Sequence, residues 1–179
     1  MTDDDGAIRV NRAPVLTLWA AIVAERLGHD EDAAMTLGRA VAGASARVKA
    51  RSIGLEERRD DADRLVARGQ DASGQVARTV RLLGRDVPVV ERRGSDHALD
   101  HDRAASPQAA RAYVEKAFGP HLPAVRLAME ALADSVAPQE LNRTGFRLYE
   151  RFRPEVPPGT KGWGAKGVLD LGRIARAAS

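Results

Sequence analysis

The segment from Ala13 to Gly54 constrains the fold most, because apolar residues recur at helical spacing on both sides of one break. The break is Gly28, which can take the left-handed backbone conformation that ends a helix without a steric penalty. Asn11 and Asp30 carry side-chain oxygens that can cap the N-terminus of the helix that follows each of them. The pattern predicts two helices joined by a tight turn, an αα-hairpin over residues 11–54.

The second of these helices carries a seam of small and apolar residues. Its members alternate three and four positions apart, which is the spacing that a closely packed partner helix requires. They are Ala34, Leu37, Val41, Ala44 and Val48. The partner is either the first helix or the same helix in a second subunit. We favour the second subunit, so we expect a homo-oligomer, specifically a homodimer.

A basic ridge runs along another face of the same helix. Arg39, Arg47 and Arg51 lie four or eight positions apart, so their side chains share one side of the helix. No acidic residue occurs between Arg39 and Gly54. The ridge predicts either a surface that contacts phosphates or an ordinary solvated helix face.

The helix pair also resembles a helix-turn-helix, since Ala24, Gly28, Ala34 and Leu37 have the small–Gly–apolar spacing of that motif. In the motif, the start of the second helix reads the major groove of DNA. Here that start is acidic, from Asp30 to Asp32, and phosphates would repel it. A plain αα-hairpin is therefore the better interpretation.

Composition favours helices. Hydrophobic residues make up 44% of the chain but aromatic residues only 4%, so the core must be built from alanine, leucine and valine. The 179 residues suit one domain, or one domain with an appendage. Disulfides and zinc–thiolate sites are excluded because the chain has no cysteine. An acidic start and the lack of any membrane-length apolar run predict a cytoplasmic protein without a membrane partner.

The rest of the chain divides into four segments. Residues 1–10 indicate a disordered tail, and residues 55–75 a charged linker or exposed helix. Residues 76–105 alternate in polarity around Gly84 and then become polar, which predicts a β-hairpin, with Pro88 on its edge strand, followed by a loop. Residues 106–179 predict a helical bundle with a Gly-rich loop. The predicted class is mostly α: an N-terminal αα-hairpin and a C-terminal helical bundle with an inserted β-hairpin.

The C-terminal part concentrates positive charge. Eight basic and three acidic residues lie between Leu141 and Ser179, in a chain whose net charge is +3. Arg143, Arg147 and Arg151 repeat the four-residue spacing of the first ridge. Two helix N-caps are also predicted in residues 106–179, because Ser106 and Asp170 stand directly before helical patterns.

The Gly-rich loop GTKGWGAKG adds two lysines and a tryptophan to this basic region. It is not a phosphate-binding P-loop, since neither lysine is followed by Ser or Thr. Lysines with a tryptophan among glycines can grip a phosphate backbone and stack a base. The alternative is that Trp163 fills the core. The complete predicted nucleic-acid-binding set is Arg39, Arg47, Arg51, Arg143, Arg147, Arg151, Lys161, Trp163 and Lys166.

Catalytic and metal-binding patterns are weak. His97, Asp100, His101 and Asp102 share one polar segment, and two histidines four apart can share a metal on a helix, but no helix is predicted there. We therefore assign no metal ligand and no cofactor. No nucleophile elbow or ordered triad occurs, so we assign no catalytic residue and lean away from an enzyme.

These patterns favour a non-enzymatic cytoplasmic protein that is nucleic-acid-associated, with DNA as the favoured partner, or regulatory, and that acts through a basic Arg/Lys surface. The alternative is a helical protein–protein interaction module that forms a homodimer and does not contact nucleic acid. A third interpretation is an enzyme whose site assembles from scattered polar residues.

Overall fold

The computed structural model describes residues 7–52, 78–100, 103–156 and 166–178. Helices make up 63% of these residues, and six strands form two antiparallel sheets. The helices are α1 (Arg12–Arg26), α2 (Glu31–Ser52), α3 (Pro107–Phe118), α4 (Leu122–Asp134), α5 (Pro138–Phe152) and α6 (Leu171–Arg176). The strands are β1 (Ala7–Val10), β2 (Arg78–Leu82), β3 (Arg85–Arg92), β4 (Ser95–Asp100), β5 (Arg103–Ala104) and β6 (Gly167–Asp170). The prediction of a mostly α chain with one inserted hairpin is therefore wrong, because two sheets pack with the helices.

Helix α1 forms the centre of the fold. Every residue from Pro14 to Ala24 is buried, because the segment is apolar on all sides and its one polar side chain, Thr17, donates a hydrogen bond to Ala13 O at 2.8 Å. Helices α2, α3, α4 and α5 all pack against α1. The helices that we expected to form a C-terminal bundle thus pack around α1.

The predicted chemistry at the ends of α1 and α2 is correct at two of three positions. Gly28 has a φ of 107°, and Asp30 caps α2 by accepting a hydrogen bond from Ala33 N at 2.9 Å. Both predictions are confirmed. Asn11 makes no capping hydrogen bond, and its Oδ1 is buried without a partner. The proposed Asn11 cap is therefore wrong.

Helix α2 packs closely along α1 at Gly38. A Cβ atom on Gly38 would lie 2.3 Å from Thr17 O, so a side chain cannot be accommodated there without moving backbone. Leu37 and Val41 of the predicted seam are fully buried within the chain. These two residues therefore contribute to the internal core and give no face to a second subunit.

The larger sheet has the strand order β2-β3-β4-β5. Two-residue turns join its first three strands: Leu83 and Gly84 lie between β2 and β3, and Arg93 and Gly94 lie between β3 and β4. All four turn residues have positive φ. Strand β3 lies between β2 and β4, so its assignment as an edge strand is wrong. The segment after it, which the sequence indicated as a polar loop, contributes β4 and β5.

The smaller sheet joins the two ends of the described chain. Strand β1 pairs antiparallel with β6, from Ala7 opposite Asp170 to Val10 opposite Gly167. Ile8 and Val10 are buried by this pairing and by α3. Residues 7–10, which we assigned to a disordered tail, therefore form part of the folded core.

Two further caps in the C-terminal part are confirmed. Ser106 Oγ accepts a hydrogen bond from Ala109 N at 3.1 Å, and Asp170 Oδ1 accepts one from Gly172 N at 2.8 Å. The predicted linker at 55–75 and the central part of the Gly-rich loop lie outside the described residues. Within the described ranges, no helix has both the length and the apolar character that crossing a bilayer requires.

Candidate ligand-binding groove

A groove lies between α2, α3 and the larger sheet, and it encloses a cavity of about 490 Å³. Helix α2 supplies one wall and the first turns of α3 supply the other. Residues of β3 and β4, with Ala105, form the floor. A cavity of this size falls within the range of ligand sites in proteins.

Small residues and one proline keep the groove open. Ala40, Gly43 and Ala44 line the α2 wall and do not fill the space in front of the helix. On the floor, the β3–β4 ladder ends at the pair Val89–Ala98. The residue of β3 that precedes Val89 is Pro88, which has no N–H to continue the ladder. The concavity is therefore a direct consequence of the local sequence.

A buried hydrogen bond fixes the sheet against the α2 wall. Ala98 N donates to Thr36 Oγ1 at 3.0 Å, and the same hydroxyl donates to Ala33 O at 2.8 Å. The Thr36 side chain is fully buried, so both of its polar roles are satisfied inside the protein. This contact holds the floor and the wall at a set distance.

Arg39 and Tyr113 face each other across the groove. The Cζ atom of Arg39 lies over the Tyr113 ring, 4.1 Å from the ring centroid, which is a cation–π contact. Burial raises the pKa of the Tyr113 hydroxyl, and the positive charge of Arg39 opposes that rise. Tyr113 therefore stays neutral at physiological pH and acts as a half-buried aromatic surface.

Arg47 lines the same groove two turns further along α2. Its Nη1 lies 3.4 Å from the position that a Cβ atom on Gly43 would occupy. The guanidinium thus folds back over Gly43, towards Arg39. Eight residues of α-helix separate the two arginines by roughly 12 Å along the axis.

Among the described residues that line the groove, the one acidic side chain is Asp86, which forms an ion pair with Arg81 at 3.0 Å. The first turn of α3, capped by Ser106, also faces the groove, and the N-terminus of a helix carries partial positive charge. The site is therefore suited to a ligand with an apolar part and an anionic part.

The second predicted ridge lies elsewhere, on α5, and none of its arginines lines the groove. Arg143 Nη2 is 2.6 Å from Glu140 Oε1, and this hydrogen bond holds the pKa of the Glu140 carboxyl below its usual range. Arg151 Nη1 donates to Ala177 O at 2.7 Å. Arg147 is exposed. Two of the three side chains thus have partners within the chain.

The remaining predicted residues are partly outside the described chain. Lys161 and Trp163 are not described, and neither is the side chain of Arg51, although α2 includes its backbone. Lys166 is exposed and directly precedes β6. The structure therefore brings Arg39 and Arg47 to one groove, and none of the other predicted residues whose side chains are described lines that groove.

The acidic start of α2 is covered by its neighbours. Arg111 of α3 donates to Asp32 Oδ1 at 2.8 Å and lies 3.4 Å from Glu31 Oε1. Ser95 Oγ, at the start of β4, donates to Asp30 Oδ2. In a helix-turn-helix this end of the second helix must enter the major groove. These contacts, together with the acidic charge, argue against that mode of DNA reading.

In the described part of the chain, no group of three or more His, Asp or Glu side chains is arranged to hold a metal ion. His97 lies in β4 opposite Val90, whereas His101 and Asp102 are not described. Burial raises the pKa of the Glu25 carboxyl, and Arg126, 3.1 Å away, opposes that rise. This ion pair links α1 to α4 and lies outside the groove.

Tyr113 is the groove residue that sequence reasoning did not identify as functional. In the sequence, Tyr113 lies at helical spacing from Ala110 and Ala117, and no local pattern indicates that an arginine of α2 lies over its ring. The scarcity of aromatic residues was the one available signal.

Comparisons with protein-family models, with curated proteins and with solved structures gave no match.

Proposed function

We propose that this chain is a non-enzymatic, cytoplasmic, nucleic-acid-associated protein that binds single-stranded nucleic acid, with DNA as the favoured form, in the groove between α2 and α3. The observation that carries the proposal is that Arg39 and Arg47 line the same open cavity. Arginine is well suited to phosphate, because its planar guanidinium presents several donors to the phosphate oxygens. Two such groups roughly 12 Å apart along α2 can contact phosphates of one strand.

A single strand fits the groove better than a duplex does. The site is concave and its floor is apolar, whereas duplex readers insert a protruding helix or strand into a DNA groove. Binding of single strands combines a cationic channel for the backbone with apolar or aromatic surfaces for the bases. The arginine wall and the largely apolar floor provide those two surfaces on adjoining sides of one cavity.

The experiment is a titration of a fluorescently labelled oligothymidylate at low salt, repeated at a series of salt concentrations. The logarithm of the binding constant falls linearly with the logarithm of the salt concentration. For single strands, each phosphate contact adds about 0.7 to the magnitude of that slope. The double variant Arg39→Gln/Arg47→Gln should weaken binding and reduce that slope by about 1.4, because it removes two contacts.

Two other double variants carry the same loss of charge. Arg9→Gln/Arg176→Gln removes two exposed arginines that do not line the groove, and we expect it to bind like the parent. Arg143→Gln/Arg147→Gln tests the α5 ridge. If the α5 variant loses binding and the α2 variant does not, the nucleic-acid site lies on α5 and the groove assignment is wrong.

The alternative function, a protein–protein interaction module, predicts a different occupant of the same groove. An acidic peptide would also match the arginine wall, so polyglutamate is the competing probe. Tight binding of polyglutamate with no binding of oligothymidylate would favour this alternative. Its homodimer version has less support, since Leu37 and Val41 are buried internally and Leu127, at 71% exposure, is a single exposed leucine on α4.

A further inference from the structure

We infer that the groove recognises the bases as well as the phosphates, and that Arg39 is the stacking surface for one base. This inference rests on the proposed function and specifies the ligand as a base-bearing strand. The carrying observation is the contact between Arg39 and Tyr113, at 4.1 Å from Cζ to the ring centroid. The ring lies against the guanidinium, and Arg39 is nevertheless an exposed residue.

A supported guanidinium is a suitable partner for a nucleobase. Unstacked bases in protein complexes pack on aromatic rings or on the planes of arginine side chains. A free arginine side chain must lose rotamer freedom to offer such a plane, and this loss costs binding free energy. In this protein the cation–π contact with Tyr113 already restricts Arg39 before the ligand arrives. In the resulting stack, the Arg39 guanidinium lies between the Tyr113 ring and the base.

The cavity provides the neighbouring contacts that this arrangement needs. Gly43 follows Arg39 by one helical turn, and Val87 and Pro88 provide an apolar floor. Arg47 Nη1 lies 3.4 Å from the Cβ position of Gly43. A base on Arg39 would therefore lie in the cavity above this floor, with a phosphate of the same strand near the Arg47 guanidinium.

The test compares two oligonucleotides with the same number of phosphates: an oligothymidylate and its fully abasic counterpart. The intact protein should prefer the oligothymidylate by roughly five- to 150-fold, the range that one stacked base contributes. Arg39→Lys keeps the positive charge but removes the plane. This variant should lose the preference for bases and keep its affinity for the abasic strand.

Tyr113 gives the matched pair of variants. Tyr113→Phe keeps the ring under Arg39 and should keep the base preference. Tyr113→Leu removes the ring and should lower the preference, because Arg39 is no longer held in place. Circular dichroism of each variant is the control for folding. Arg39 is exposed, so Arg39→Lys should fold like the parent and is a sufficient test even if a Tyr113 variant does not fold.

The outcomes separate this inference from the function on which it depends. If the intact protein binds both oligonucleotides equally, stacking is overturned while phosphate binding stands. If Arg39→Lys keeps the full base preference, Arg39 is not the stacking surface and the inference is overturned. Binding of neither oligonucleotide overturns the proposed function and this inference together.

Discussion

The indole N–H of Trp19 donates a hydrogen bond to the backbone carbonyl oxygen of Gly145 at 2.9 Å. Trp19 is fully buried at the centre of α1, and its ring also packs edge-on against Phe152, with centroids 5.4 Å apart. Gly145 also permits the close approach of Leu83, since a Cβ atom there would lie 2.4 Å from Leu83 Cδ2. These contacts together fix α1, α5 and the β2–β3 turn relative to each other.

The Trp19 hydrogen bond should contribute strongly to stability. Trp19→Phe removes the indole hydrogen bond to Gly145 O, an oxygen that also accepts within α5, and leaves a void beside Phe152. We expect the free energy of unfolding to fall by roughly 2–4 kcal/mol in urea titrations followed by circular dichroism. Tyr149→Phe is the control, because its hydroxyl makes a long contact of 3.5 Å with Arg12 O. Equal losses in the two variants would show that the indole hydrogen bond has no special weight.

Two glycines of α2 should respond to alanine in opposite directions. Gly38→Ala places Cβ 2.3 Å from the Thr17 backbone oxygen and should destabilise the protein by about 1–3 kcal/mol. Gly43→Ala meets the flexible Arg47 side chain at 3.4 Å and should stabilise the helix by up to about 1 kcal/mol. Thermal unfolding of the two variants, side by side, provides the measurement. A destabilised Gly43→Ala variant would mean that the groove wall cannot accept a methyl group.

The N-cap of α2 should make stability depend on pH in the acid range. Hydrogen bonds from Ala33 N and from the Ser95 hydroxyl hold the pKa of the Asp30 carboxyl below its usual range. A lowered folded-state pKa stabilises the protein above the unfolded-state pKa, about 3.9, and this contribution is lost as the pH falls through the folded-state pKa. The unfolding free energy should therefore decline below about pH 4.

Asp30→Asn tests this dependence, because asparagine keeps the capping oxygen but does not titrate. The parent should be more stable than the variant near neutral pH, and the difference should shrink in acid. Urea titrations at a series of pH values give the two curves. Parallel curves through the acid range would contradict a role for the Asp30 charge.

Two potential caps of other helices should differ in their response to alanine. Ser106 forms a capping hydrogen bond, and Ser106→Ala should cost about 0.5–2 kcal/mol of stability. Asn11 forms none, and its buried Oδ1 lacks a partner. Asn11→Ala should therefore be close to neutral, since it removes an unsatisfied buried oxygen. Chemical denaturation of both variants is the measurement, and a larger loss at Asn11 would reverse the assignment.

Local chemistry made several parts of the fold predictable. Gly28, Asp30, Ser106 and Asp170 were identified from residue type and position, because capping and helix termination depend on a few neighbouring atoms. The strands were harder. Residues 95–100 contain Ser, Asp and His without an apolar alternation, and β1 and β6 have four residues each, too few to show a period. Their pairing is decided by tertiary contacts.

The sequence predicted one wall of the candidate groove, the α2 face. The spacing of Arg39 and Arg47 placed both on one face of α2, because a helix repeats every 3.6 residues. The opposite wall comes from α3, and the sequence has no local record of which helix packs against which. Similarly, periodicity indicated a wide apolar face on α1 but did not show that the helix is buried on every side. The groove exists because those distant segments pack together.

The pairing of β1 with β6 has a consequence for folding during synthesis. The ribosome releases β1 first and β6 last among the strands described here, and domains fold as their segments emerge. Until Gly167–Asp170 have left the exit tunnel, the backbone of β1 has no strand partner from β6. The N-terminal strand must therefore wait, with Ile8 and Val10 incompletely covered, while the rest of the protein is translated.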